Sequence, residues 1–151
     1  IFIDYPSKAD ELKVMRRMSD MSFDSEVREL LTKEDIFTIR DVVNKVEISK
    51  DLEQYIIELV FATRFPKEFG LDDLAEYLQF GASPRASINL HRAAKAIAFL
   101  DGRDFVLPED IKEIAYDVFN HRIILNYEAE ADGITAKHVI DKLLNKIKIN
   151  K

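Results

Sequence analysis

The sequence contains no cysteine, and it has only four glycines and four prolines among 151 residues. The absence of cysteine excludes disulfide bonds, thiol catalysis and cysteine-based metal sites. The scarcity of glycine and proline predicts that long loops are rare. No apolar run approaches the roughly 20 residues that a membrane-spanning helix requires, and no signal peptide is visible. By elimination, we expect a cytoplasmic protein.

The charge balance is acidic, with a formal net charge of -6. Non-specific nucleic-acid binding requires a basic surface that neutralises phosphates, so this balance argues against it, although it does not exclude a local basic patch. Hydrophobic residues make up 47% of the chain, which is enough for a real core. The length predicts one or two small domains.

The common signatures of catalytic and metal sites are also missing. No GxxxxGK[ST] phosphate loop and no HExxH zinc motif occur in the sequence. His91, His121 and His138 are scattered and lack a second ligand at metal spacing on the same helix, so we expect no metal site. Asp and Glu are so numerous that no catalytic pair stands out, and surface charge accounts for them best.

Apolar residues recur at helical spacing along most of the chain, and capping residues precede several of these stretches. Inward-facing side chains are expected to include Leu12 and Met15 in the first helix. Residues 19–31 are ambiguous, and residues 126–133 are expected to form a polar loop. The predicted helices are 9–18 after Ser7, 33–46 after Thr32, 50–63 after Ser49, a short one within 69–81, 84–101 after Ser83, 109–123 after an extended link at 105–107, and 136–147 after Thr135.

The first four residues, IFID, alternate like the end of a strand. A lone strand cannot stand without a sheet. The sequence therefore predicts that the chain is cut from a larger protein whose sheet is left behind. Apart from this short residual strand, the fold class is expected to be all-α, as a helical bundle.

The start of the helix at 84–101 raises a question about charge. Ser83 suits the N-cap and Pro84 the first helical position, which places Arg85 at the second. A cation is disfavoured there by a few tenths to about 1 kcal/mol because the helix dipole is positive at that end. The same end attracts anions, so Arg85 is either a phosphate clamp or an ordinary solvated arginine.

The assembled residues resemble the C-terminal helical lid of the MoxR family of AAA+ ATPases. The resemblance covers essentially the whole chain, and GASPRA followed by PEDI is its most specific part. The segments that carry it are IDYPSKADELKVMRRM (3–18), YIIELVFATR (55–64), FGASPRASINLHRAAKAIAFLDGRDFVLPEDI (80–111) and HRIILN (121–126).

The resemblance implies that residues 1–6 end an AAA+ core domain and that residues 7–151 form its lid. It implies that Arg85 is the sensor-2 residue, which reaches the γ-phosphate of ATP, with Ser83 and Pro84 beside the nucleotide. ATP and its Mg²⁺ would be held by the core, whose motifs are expected before Ile1. The chain alone is therefore not expected to hydrolyse ATP.

The resemblance also implies partners. These are the AAA+ core itself, a homo-oligomeric ring that is expected to be a hexamer, and a von Willebrand factor A domain protein, with chaperone-like remodelling as the outcome. No nucleic acid and no membrane span are expected.

Two other functions stay open at this point. One is a helical interaction module that uses the alanine-rich face of helix 84–101, formed by Ala86, Leu90, Ala93, Ala94, Ile97 and Leu100. The other is a helix-turn-helix nucleic-acid binder, suggested by the short link at 101–108.

The roles of three further residues are also open. Arg64 either caps the end of its helix or contacts nucleotide. Arg92 either supports the site or pairs with a carboxylate, and His91 is a surface or packing residue.

Overall fold

A computed structural model describes residues 5–19 and 28–149. The chain divides into two compact units, 1–38 and 39–151. The helices are α1 (Lys8–Met18), α2 (Lys33–Lys45), α3 (Lys50–Arg64), α4 (Asp72–Ala75), α5 (Pro84–Leu100), α6 (Pro108–Phe119), α7 (Tyr127–Ala131) and α8 (Ala136–Lys146). A 3₁₀ turn spans Pro66–Phe69, and two short strands are β1 (Leu78–Phe80) and β2 (Ile124–Leu125). The expected all-α class is confirmed, with one small sheet added to it.

The predicted caps explain where several helices begin. The side chains of Ser7, Ser49 and Thr135 accept hydrogen bonds from backbone N–H groups three residues later, which satisfies donors that the helix itself leaves free. At the start of α2, Thr32 and Asp35 cap each other reciprocally. The Thr32 N–H donates to Asp35 Oδ2 at 2.8 Å, and the Asp35 N–H donates to Thr32 Oγ1 at 3.1 Å.

The core of the second unit lies where α5 packs against α3 and α6, and where α8 packs against α3 and α6. The inward row predicted for α3 is confirmed, because each of its members is buried: Leu52, Tyr55, Ile56, Leu59, Val60 and Thr63. Helices α5, α6 and α8 add Leu90, Ile111, Phe119, Ile140 and Leu143, all of them at most 1% exposed. This core holds the beginning of α5 in place.

Side chains in the first unit behave differently. Leu12 is 43% exposed and Met15 is 56% exposed, so the prediction that they face inward is wrong. Ile36, at the start of α2, is also exposed. In the second unit, Val42 of α2 is exposed as well, while Val46, just after α2, is buried. Periodicity identifies the apolar side of a helix, but it does not show whether another element covers that side.

The structure corrects three boundaries. Residues 78–80, expected within a short helix, form β1 and pair antiparallel with β2, so that Leu78 faces Leu125. Helix α6 ends at Phe119 rather than at residue 123, and the expected polar loop at 126–133 contains α7. These strands are too short to show a period of two, and their pairing depends on a partner that is distant in sequence. The predicted strand at 1–4 lies outside the described residues.

Candidate functional site

The site predicted from the sequence is the beginning of α5. Ser83 has an extended backbone, with φ -74° and ψ 168°, and Pro84 is the first helical residue, as expected. The Ser83 hydroxyl makes no capping hydrogen bond, whereas the Ser83 carbonyl accepts from the Ala86 N–H at 2.8 Å. No side chain therefore caps the first turn of α5, in which Pro84 has no N–H and the Ala86 N–H is already bonded.

Arg85 lies at the second position of α5 and is exposed, as are Ser83 and Pro84. Within the ranges 5–19 and 28–149, no carboxylate pairs with Arg85 and no hydrogen bond restrains its guanidinium. No acidic residue lies in the first turn of α5. Helix dipole and guanidinium therefore combine at this end of α5 into a positive site that suits an oxygen anion.

The segment just before this site is held by the end of α3. The Ala82 N–H donates to Thr63 Oγ1 at 2.9 Å, and Arg64 Nε donates to the Ala82 carbonyl at 2.6 Å. Ala82 itself is fully buried. The sequence patterns show Thr63 only as one member of an inward row and give no indication of this contact. A polar residue among aliphatic ones was the signal that could have marked it.

Arg64 therefore has a tertiary role that neither prediction described. It is the last residue of α3, but its Nε donates to a carbonyl 18 residues further along the chain. Its guanidinium carbon lies 5.2 Å from the centre of the Phe61 ring, a distance that suits a cation–π contact. The hydrogen bond connects the side chain to the segment that precedes Arg85.

Arg92 and His91 lie two turns further along α5. Arg92 is exposed, and the described parts of the chain contain no carboxylate paired with it. His91 Nε2 lies 3.5 Å from Glu53 Oε1 on α3, which agrees with a surface or packing histidine. These three residues, together with Ile57 and Ile88, line a shallow hollow of about 330 Å³ between α3 and α5.

The alanine-rich face of α5 is used inside the fold. Ala86, Ala94 and Ala98 are each 0% exposed, and α5 packs against both α3 and α6. Leu100, predicted on this face, is 80% exposed instead. The fully buried residues of α5 recur every four positions up to Ala98, and Leu100 does not lie on that row. Of the face on which the interaction-module hypothesis depended, Ala86, Leu90 and Ala94 are therefore not available to a partner, while Ala93, Ile97 and Leu100 keep some exposure.

Two other kinds of feature, a metal site and a membrane-spanning helix, are absent from the residues that the structure describes. No group of three or more His, Asp or Glu side chains is arranged to hold a metal ion among them. None of the helices built from these residues is long and apolar enough to cross a membrane.

Comparison with known proteins shows similarity to the AAA lid domain family and to proteins named MoxR. Residues 73–143 match the AAA lid domain family. The chain is 34% identical to Chaperone MoxR1 of Mycobacterium tuberculosis over 147 residues, which is 97% of this chain and 38% of that protein. It is 38% identical to Protein MoxR of Paracoccus denitrificans over 92 residues, covering 57% of this chain and 27% of the relative.

A solved structure supports the same relationship. The crystal structure of a candidate ATPase from Cytophaga hutchinsonii matches with a TM-score of 0.88 and 58% identity, and the match covers 100% of this chain and 46% of that chain. The chain spans 38% and 42% of the two curated relatives that it matches over nearly all of its own length. It therefore corresponds to one part of longer proteins.

Proposed function

We propose that this chain, which carries an AAA lid domain of the MoxR family, closes over ATP bound by a core domain and contributes Arg85 as the sensor-2 residue. One observation carries the proposal. Arg85 is an exposed cation at the N-terminus of α5, and no described residue neutralises it. A cation in that position is unfavourable unless an anion lies near it.

The local chemistry fits a terminal phosphate. A guanidinium donates charge-assisted hydrogen bonds to phosphate oxygens, and the positive end of the helix dipole adds to this attraction. Pro84 fixes the backbone at the first helical position, and the Ser83 hydroxyl is free to donate. The described residues have no carboxylate cluster for Mg²⁺, so the ion would be held by the core together with the nucleotide.

The same contact would couple ATP hydrolysis to movement. Arg85 would attract the γ-phosphate while it is present, and its departure would remove the interaction that favours a closed lid. The chain alone supplies one arginine and one helix end, so we expect negligible ATP affinity and no turnover without the core.

The wider role follows from the MoxR family and belongs to the same proposal. The complete protein would be a chaperone-like ATPase in the cytoplasm, assembled as a homo-oligomeric ring, with six subunits expected. A von Willebrand factor A domain protein would be one partner. The relative from Mycobacterium tuberculosis carries the name chaperone, which supports remodelling of other proteins as the class of activity.

The deciding experiment is steady-state ATP turnover by the full-length protein at saturating ATP. Arg85→Ala is expected to lower turnover roughly tenfold or more, which corresponds to about 1.4 kcal/mol in the barrier. Lys137→Ala is the matched control, because Lys137 is an exposed cation at the second position of α8. Unchanged turnover and unchanged nucleotide affinity in Arg85→Ala would mean that the likeness is architectural only.

The helix-turn-helix hypothesis is tested separately, by measuring DNA binding at several salt concentrations. Duplex DNA binding that weakens steeply with added salt would favour a helix-turn-helix function over the lid. The formal net charge of -6 leads us to expect no such binding.

A further inference from the structure

We infer that Thr63 and Arg64 are positioning residues for Arg85, which they control through the backbone of Ala82. The inference rests on the proposed function, because it concerns how the sensor-2 position is set. Neither residue is expected to touch nucleotide for this purpose. They act from the end of α3 on a segment three residues before Arg85.

Two neighbouring residues hold both backbone polar groups of Ala82. Thr63 Oγ1 accepts from the Ala82 N–H at 2.9 Å and donates to the Val60 carbonyl at 2.7 Å. Arg64 Nε donates to the Ala82 carbonyl at 2.6 Å. Thr63 is 1% exposed and Ala82 is 0% exposed, so water does not replace these partners readily. We call this set of contacts the Ala82 clamp.

The clamp needs a very close approach of two backbones. A Cβ atom added at Gly81 would lie 2.4 Å from the Thr63 carbonyl oxygen and 2.8 Å from the Arg64 nitrogen. Such distances leave no room for a side chain, so glycine is required at position 81 for steric reasons. The segment 81–82 therefore runs directly against the end of α3.

The clamp anchors the segment just before α5, whereas a capping side chain anchors the first turn of α1, α3 and α8. Those helices are anchored by a hydroxyl at the N-cap, whereas the Ser83 hydroxyl makes no such bond. The direction in which α5 begins is thus set by Ala82, one residue earlier. A change at the end of α3 moves the first turn of α5, and Arg85 with it.

The test is a double-mutant cycle on ATP turnover by the full-length protein. Thr63→Val keeps the shape of the side chain and removes the hydroxyl. We expect it to lower kcat about threefold or more when Arg85 is present and to have less than about 1.5-fold effect in an Arg85→Ala background, because residues acting through one group are not additive. Thr63→Ser retains the hydroxyl and is expected to restore most of the lost kcat.

The second variant, Arg64→Met, removes every donor from this side chain and keeps the test decisive if Thr63→Val fails to fold. It is expected to show the same dependence on Arg85. Lys67→Gln is the charge control, because Lys67 is an exposed cation in the next turn and no hydrogen bond joins it to Ala82 among the described residues. We expect turnover by Lys67→Gln to match the wild type.

The outcomes separate the inference from the proposal on which it rests. If Arg85→Ala leaves turnover unchanged, the sensor-2 function is wrong. If Arg85→Ala lowers turnover but the clamp variants lower it equally in both backgrounds, or not at all, the positioning role is wrong and the sensor-2 function stands. A loss by Lys67→Gln equal to that by Arg64→Met would also overturn the clamp.

Discussion

Arg103 and Asp110 form a two-pronged ion pair between the turn after α5 and the first turn of α6. The guanidinium donates to both carboxylate oxygens of Asp110, at 2.8 and 2.7 Å, and the Leu107 N–H donates to the same carboxylate at 2.7 Å. Burial raises the pKa of Asp110, but the hydrogen bonds from Arg103 and Leu107 outweigh it and leave this pKa below its ordinary value. The pair thus joins two helices that pack on each other in the core.

Replacing this buried carboxylate is expected to destabilise the fold. Asp110→Asn should lower the free energy of unfolding by about 2 kcal/mol, because an amide cannot accept equally from both guanidinium donors. Chemical denaturation measures the difference. Asp101→Asn is the matched control, since Asp101 also accepts from Arg103, at 2.9 Å, but its side chain is 62% exposed. Similar losses in the two variants would show that the buried pair contributes no more to the free energy of unfolding than the exposed one.

The ionisation of Asp110 also predicts how the stability of the fold depends on pH. Because the folded-state pKa of Asp110 is depressed, its ionised form contributes stability that is fully present above the unfolded pKa of about 3.9. This contribution is lost as the pH falls through the folded-state pKa. The stability gap between the wild type and Asp110→Asn should therefore shrink from pH 7 to pH 3. A gap that stays constant over this range would contradict the assignment.

Two glycines are expected to respond differently to alanine. Gly102 has φ +74° with open space around it, so Gly102→Ala should cost about 1 kcal/mol from backbone strain alone. Gly81→Ala should cost more, because its Cβ would collide with the backbone of Thr63. Thermal unfolding of both variants gives the comparison. An equal or smaller loss for Gly81→Ala would mean that the segment before α5 can move away from α3 freely.

Two tyrosines are expected to differ in how much their hydroxyl groups contribute to stability. The Tyr116 hydroxyl donates to Asp141 at 2.6 Å, so Tyr116→Phe should lose about 1 kcal/mol of stability. The buried Tyr55 hydroxyl has no hydrogen-bond partner among the described residues. Burial raises the pKa of Tyr55, and the charge of Glu109 adds to this effect. Tyr55→Phe should leave stability unchanged or increase it, and a clear loss would reveal a partner for this hydroxyl.

Much of the architecture could be predicted without coordinates. The resemblance to the MoxR family is confirmed by the AAA lid domain match and by relatives named MoxR. Helix starts followed from Ser and Thr caps, because capping is a local interaction within four residues. Arg85 was identified in the same way, from its place after Ser83 and Pro84. Its contact with nucleotide stays a prediction.

Other features were missed because they depend on distant parts of the chain. The exposure of Leu12 and Leu100 depends on which neighbours cover each helix face, and periodicity does not contain that information. Strands β1 and β2 are two or three residues long and acquire their conformation from each other. Arg64 was expected to act within its own helix or on nucleotide, and it instead bonds to Ala82.

The sequence by itself determined where most helices begin, which side of α3 is apolar, and which cation stands at the start of α5. All three depend on residues within a few positions of one another. Only the tertiary structure decided that Thr63 and Arg64 hold Ala82, and that Ala86, Ala94 and Ala98 are the alanines of α5 that are fully buried. The hydrogen bonds to Ala82 join residues 18 and 19 positions apart and require the end of α3 to lie against the segment before α5, and packing is a property of the whole core.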